Sequence, residues 1–167
     1  MTDKSFLQAD EPASALSHPE PNPRQRILVV EDDAGIRRVN TEVLIYSGYH
    51  VDAAEDGVVA WETLQLNNYD LMVTDNDMPR MTGVELMQKL QAARMALPVI
   101  MATGTVPDDQ FTRYQLLQPA KTLIKPYTFD ELLEAVKEVL FASNEGREEI
   151  VPPPNWSVQP PASRLLL

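Results

Sequence analysis

Tyr69-Asp70-Leu71-Met72-Val73-Thr74-Asp75-Asn76-Asp77-Met78-Pro79 is the stretch from which the rest of the chain is read. An apolar run, Leu71 to Val73, ends in Thr74 and Asp75, and Asp77, Met78 and Pro79 follow at once. Strand-forming residues closed off by turn formers predict a buried strand running into a loop. That sets a carboxylate at the carboxyl end of a strand, where open α/β sheets bind ligands. Taken alone, Asp75-Asn76-Asp77 reads as an ordinary turn, because Asp and Asn are frequent in loops.

The flanking sequence repeats the theme. Arg26 to Val30 is a second continuous apolar run, the mark of a strand covered on both faces, and Glu31-Asp32-Asp33 follow it. A helix is predicted from Ala34, with Ile36, Val39, Val43 and Leu44 at helical spacing and Ser47-Gly48 at its end. Tyr49 to Ala54 is a more polar strand, suited to a sheet edge. A helix follows from Asp56-Gly57 through Leu66 and stops at Asn67-Asn68. Beyond Asp75, Thr82 and Glu85 fit a capping box opening a helix over Val84, Leu86, Met87 and Leu90. Pro98 to Ala102 is a fourth strand, ending in Thr103-Gly104-Thr105. Asp108 or Asp109 caps a short helix containing Phe111, Tyr114 and Leu117. Thr122 to Ile124 is a fifth strand, ending in Lys125-Pro126. Thr128 and Glu131 form a second capping box before an amphipathic helix through Leu132, Leu133, Val136, Val139 and Leu140. Strand–helix alternation predicts an α/β fold: a doubly wound, five-stranded parallel sheet of flavodoxin-like (βα)5 type.

Composition bounds what the chain does. At 167 residues it suits one domain with spare length. Nine of the 14 prolines lie before Arg24 or after Ile150, so 1–24 and 144–167 read as disordered, Pro-rich tails around a domain at 25–143. The carboxyl tail carries Trp156, Val158 and Leu165-Leu166-Leu167, read as a loose end rather than a docking segment. Fourteen basic against 25 acidic residues, a net charge of −11, argue against nucleic-acid partners. No cysteine is present, so disulfides and thiolate metal sites are out. No apolar run approaches the roughly 20 residues of a membrane span, and Met1 to Pro23 lacks a signal-peptide core. A cytoplasmic protein is expected.

The residues just past each apolar strand form a set. The first strand supplies Glu31 and Asp32, the third Asp75 and Asp77, the fourth Thr103 and the fifth Lys125. In a parallel sheet these ends share one edge. Carboxylates crowded there repel one another and raise each other's pKa unless a cation neutralises them. His18 and His50 fall outside the set, and oxygen ligands alone favour Mg²⁺. A carboxylate nucleophile, a divalent ion, an ammonium and a hydroxyl are the parts that phosphoryl transfer requires.

Residues 26–142 resemble the receiver domain of bacterial two-component response regulators. The matching pieces are Ile27 to Asp32, Asp75 to Pro79 with Gly83 beyond, Thr103-Gly104, and Lys125-Pro126-Tyr127. No one piece is specific, but in this order and spacing they are. The resemblance implies that a histidine kinase or phosphotransfer protein phosphorylates Asp75. It implies that Asp32, Asp75 and the backbone carbonyl of Asp77 ligate Mg²⁺, with Glu31 acting through water. Lys125 is implied to pair with the carboxylate or phosphoryl group, and Thr103 to hydrogen-bond a phosphoryl oxygen. Gly104 leaves room for phosphate, Thr105 lines the entrance with Asp77, and Lys125-Pro126 is a cis peptide.

Three departures stand out. The family usually has Tyr or Phe where Thr122 stands, so the customary aromatic switch is absent and Tyr127 is the candidate substitute. Asp77 puts a carboxylate where side chains tune dephosphorylation. The chain beyond Ala142 is too short for an output domain. Blander roles are assigned elsewhere: Asp33 caps a helix, Met78 and Met81 are packing residues, and His50 lies at the surface or a strand edge.

Three functions compete. The first is a stand-alone switch, not an enzyme, signalling through phosphorylation-dependent contacts with a downstream protein, as a monomer or weak homodimer. The second is a degenerate receiver acting as a phosphorylation-independent interaction module. The third is a haloacid-dehalogenase-type phosphatase, whose motif order differs because here the acidic pair precedes the nucleophile.

Overall fold

The computed structural model describes residues 25–104 and 118–148. Along them run β1 (Arg26–Val30), α1 (Ala34–Tyr46), β2 (His50–Ala54), α2 (Gly57–Leu66), β3 (Leu71–Asp75), α3 (Gly83–Ala92), β4 (Val99–Thr103), β5 (Lys121–Ile124) and α4 (Phe129–Glu148). The helix expected around Phe111, the residue Thr105 and most of both tails lie outside the described residues.

The strands form one parallel sheet in the order β2-β1-β3-β4-β5. The polar second strand is at an edge, as its composition predicts, and His50 is exposed at its start. The chain leaves β1 for β2 on one side, then crosses back to β3 on the other. The β1/β3 boundary is therefore the point where strand order reverses, and such points open the crevice that receives ligands.

Side chains alternate across each strand, so the apolar runs feed two cores. Leu28, Val30, Met72 and Met101 pack with Ala60, Leu64, Leu86 and Leu90 of α2 and α3. Ile27, Val29, Leu71, Val73 and Ile100 pack with Leu44 of α1 and Leu132, Val136 and Leu140 of α4. Met72, Met78, Met87 and Met101 are all buried.

Helix ends follow local chemistry. Asp33 Oδ1 accepts from the N–H groups of Gly35 (2.8 Å) and Ile36 (2.9 Å), capping α1. Thr82 and Glu85 form a reciprocal capping box on α3. At α4, Thr128 N–H donates to Glu131 Oε2 and Glu131 N–H to Thr128 Oγ1. Gly48, just past α1, has φ 93°, a conformation that favours glycine.

One helix face departs from the spacing-based expectation. Ile36 is 41 % and Val39 38 % exposed, and the residues that α1 buries are Asn40 and Leu44. The apolar spacing correctly marks a helix, but α1 turns a polar residue toward the sheet and leaves two apolar ones outside.

Candidate functional site

β1 and β3 deliver the acidic residues. Val30 stands opposite Thr74, so Glu31 and Asp75 leave adjoining strands at one level. Glu31 (3 % exposed) and Asp75 (6 %) are buried, and Asp32 is exposed. One carboxylate oxygen from each of Glu31, Asp32 and Asp75 lies within 4.8 Å of the others. Among the described residues no other trio of acidic or metal-ligating side chains comes together in this way. Arg37, one turn into α1, donates Nη1 to the carbonyls of Glu31 (2.6 Å) and Asp32 (3.1 Å), holding the segment that carries the pair.

β5 brings the cation. The Lys125 N–H donates to the carbonyl of Thr103 (2.8 Å), continuing the β4–β5 pairing. Its Nζ lies 3.0 Å from Asp75 Oδ2 and 3.1 Å from Glu31 Oε2. The Lys125-Pro126 peptide is cis, as the resemblance implies. Tyr127 OH accepts a hydrogen bond from Asn40 Nδ2 of α1 at 2.9 Å. Burial alone would lower the Lys125 ammonium, but hydrogen bonds to Asp75 and Glu31 outweigh it and its pKa is raised. The Glu31 carboxyl is raised too, first by burial and then by the Asp75 charge, against the opposing pull of Lys125. An open cavity of about 530 Å³ beside Lys125 is lined by Ile36, Val39, Asn40, Tyr127 and Phe129 among others.

The loop after Asp75 is held on both sides. Asn76 N–H donates to the carbonyl of Ala102 (3.0 Å), and Gly83 N–H donates to the carbonyl of Asn76 (3.0 Å). Asn76 Nδ2 bonds Asp77 Oδ1 (3.1 Å), while Asn76 Oδ1 is buried with no partner. Arg80, at φ 65°, pairs with Asp56, the buried N-cap of α2, and reaches Glu55.

The structure thus brings Glu31, Asp32, Asp75 and Lys125 together. Thr103 is buried (2 % exposed) at the end of β4, beside the strand that ends in Asp75. The Asp77 side chain is exposed and outside the carboxylate trio. Among the described residues a Cβ at Gly104 would meet nothing within 4 Å. Thr122, at the expected switch position, is half-buried on β5. Sequence reasoning passed over Arg37, Asn40 and Arg80. For Asn40 the available signal was its place between Ile36 and Leu44 in an i, i+4 row, a polar residue in an apolar stripe.

Three converging carboxylates with no His or Cys are a hard-oxygen donor set, and the single Lys125 charge does not neutralise them. Mg²⁺ fits that chemistry.

A family profile described as "Response regulator receiver domain" matches residues 27–137. The response regulator receiver protein CpdR of Brucella abortus is 33 % identical over 124 residues, covering 71 % of this chain and 99 % of CpdR. Response regulator MprA of a Mycobacterium species is 34 % identical over 117 residues, covering 69 % of this chain, which spans only 50 % of MprA. Among solved structures, response regulator TrrA of Thermotoga maritima, in complex with Mg²⁺-BeF, superposes with a TM-score of 0.59 at 32 % identity. That superposition covers 69 % of this chain and 98 % of TrrA. The family profile covers Glu31, Asp32, Asp75 and Lys125, and the chain belongs to the response regulator receiver domain family.

Proposed function

We propose that this chain is a phosphorylation switch with Asp75 as acceptor. A carboxylate oxygen of Asp75 attacks the phosphorus of a phosphohistidine on a sensor kinase or phosphotransfer protein. The new O–P bond forms as the P–N bond breaks, and the imidazole leaves. The observation that carries this reading is Lys125 Nζ held between Asp75 and Glu31, 3.0 and 3.1 Å away. A cation held beside the Asp75 carboxylate supports the reading, because preorganised charge is a main source of stabilisation for such a step.

Thr103 donates its hydroxyl to a phosphoryl oxygen. Asp32 and Asp75, with the backbone carbonyl of Asp77 and with Glu31 through water, would hold Mg²⁺, which when bound would supply positive charge against the incoming group. TrrA binding Mg²⁺-BeF supports this assignment by similarity. The phosphoryl group adds about −2 charge at the sheet edge and shifts the surface beyond β4 and β5. Gly104 leaves room for the phosphoryl group, and Asp77 flanks the entrance. The output is contact with a downstream protein, and the only transfers performed are onto and off Asp75.

Incubation with Mg²⁺ and acetyl phosphate, read by intact mass, tests this. One phosphoryl adduct is expected, absent in Asp75→Asn and blocked by EDTA. An adduct that survives Asp75→Asn rejects the acceptor assignment. No adduct from any donor, kinase included, leaves a phosphorylation-independent interaction module instead.

A further inference from the structure

The mechanism above leaves unused a part-buried polar contact between α1 and the segment after β5. Asn40 is 4 % exposed on α1, and its amide donates to the Tyr127 hydroxyl at 2.9 Å. The two residues lie 87 positions apart in the chain. A buried amide costs free energy unless it is bonded, and exchanging both partners for apolar groups of similar shape is close to neutral. Folding stability alone therefore gives no reason for an Asn–Tyr pair where Leu and Phe would pack.

Its position supplies the reason. α1 holds the acidic end of the site: Arg37, three residues before Asn40 and so on the same side of the helix, grips the carbonyls of Glu31 and Asp32. Tyr127 lies two residues past Lys125, on the segment that carries the ammonium. The Asn40–Tyr127 bond thus ties the element bearing the acids to the segment bearing the cation. The segment is otherwise fixed at the site by the Lys125 N–H bond to Thr103 and by the two ion pairs of Nζ. Those ion pairs must rearrange when Asp75 becomes an acyl phosphate, whereas the Asn40–Tyr127 bond need not.

We propose that Asn40 and Tyr127 are positioning residues for phosphoryl transfer, their hydrogen bond setting where Lys125 Nζ stands relative to Asp75. This rests on Asp75 being the phosphoacceptor. Tyr127 occupies the place of an anchor, not of a ring that swings: it steadies Lys125 in a chain whose β5 carries Thr122 where the family usually has an aromatic ring.

The test uses the full chain. Phosphorylation by acetyl phosphate with saturating Mg²⁺ is followed by intact mass for Tyr127→Phe, Asn40→Leu and the double variant, each alone and on a Lys125→Ala background. Tyr127→Phe removes one oxygen and keeps the ring, so it stays informative even where Asn40→Leu fails to fold. Each single variant is expected to react about fivefold more slowly, well inside the ~100-fold that an ångström of misplacement costs. The double variant is expected to be no slower than the slower single one, because both cut the same link. On Lys125→Ala the substitutions are expected to change nothing further. Wild-type rates for both variants overturn the proposal. Equal slowing on the Lys125→Ala background also overturns it, since a purely structural role does not depend on Lys125. A wild-type chain that takes up no phosphoryl group from acetyl phosphate or a kinase rejects the acceptor reading itself, whereas a labelled wild type with unchanged variants rejects the pair alone.

Discussion

The carbonyl oxygen of Asp75 passes so close to Gly83 that a Cβ built on Gly83 would stand 2.5 Å from it, with the Cα of Asn76 at 3.1 Å. The first residue of α3 thus packs on the backbone of Asp75. No rotamer relieves a clash between Cβ and backbone, so Gly83→Ala must move the Asp75–Asn76 segment or α3. Overpacking of this kind costs about 1–3 kcal/mol. Urea unfolding of Gly83→Ala should show that loss, and phosphorylation should slow with it. A loss under about 0.5 kcal/mol, within the range of an ordinary surface substitution, would mean that the loop yields freely.

Asp56 joins two loops of the site. It is 2 % exposed, accepts from the N–H groups of Val58 (2.8 Å) and Val59 (3.0 Å) as the α2 cap, and pairs with Arg80 of the loop after Asp75. Asp56→Ala removes the cap, worth about 1 kcal/mol, and the ion-pair partner as well. Arg80→Ala removes only the pair, and leaves Asp56 still bonded to two N–H groups. Denaturant midpoints should rank wild type above Arg80→Ala and Arg80→Ala above Asp56→Ala. The reverse order of the two variants would show that leaving the buried Asp56 carboxylate without its cation costs more than losing cap and pair together.

Glu31 makes the metal-free protein sensitive to pH. Its carboxyl is raised by burial and by the Asp75 charge, so the folded state binds its proton more tightly than the unfolded chain does. That contribution to stability is complete below the unfolded value of 4.5 and is lost as pH rises through the higher folded value. Above that window the folded state bears the cost of an ionised, buried Glu31. In EDTA, Glu31→Gln should therefore stabilise the protein at pH 7–8 and leave its stability unchanged at pH 4. Thermal melts at the two pH values check this, and a neutral-pH loss in Glu31→Gln would contradict it.

Lys125 competes with any bound cation. Its Nζ is 3.0 Å from Oδ2 of Asp75, a member of the carboxylate trio. Removing a positive charge at that distance strengthens the attraction of the cluster for Mg²⁺, by about 1 kcal/mol or near fivefold in Kd. Calorimetric titration of Lys125→Ala should show tighter Mg²⁺ binding, while the same variant takes up phosphate more slowly. Unchanged Mg²⁺ affinity would place the ion farther from Nζ than the cluster geometry implies.

Much of the fold was legible because it is written locally. Strands covered on both faces read as apolar runs such as Ile27 to Val30 and Leu71 to Val73. Caps such as Asp33, Thr82 and Thr128 bond within three residues, so they appear as short motifs. The site residues were legible for a related reason: parallel pairing puts strand ends at one edge, so Glu31, Asp32, Asp75, Thr103 and Lys125 are neighbours by topology. Asp77 was legible only as a position in the loop, since its exposed side chain is not one of the clustered carboxylates.

What no local pattern carries is the rotation of a helix about its own axis and the reach of side chains across the sheet edge. The spacing of Ile36, Val39, Val43 and Leu44 marks a helix but does not say which face it buries, and packing on β1 and α4 turned Asn40 inward and left Ile36 and Val39 outside. The clamp of Arg37 on two carbonyls, the bond from Asn40 to Tyr127 and the pairing of Arg80 with Asp56 each depend on that packing. Residue order alone sufficed for the doubly wound sheet and for its acidic edge, because periodicity, capping and strand-end placement are short-range or topological. The close approach of Gly83 to Asp75 and the ties that hold Lys125 in place were decided only when elements far apart in the chain packed together, since contact between distant residues is a property of the folded backbone.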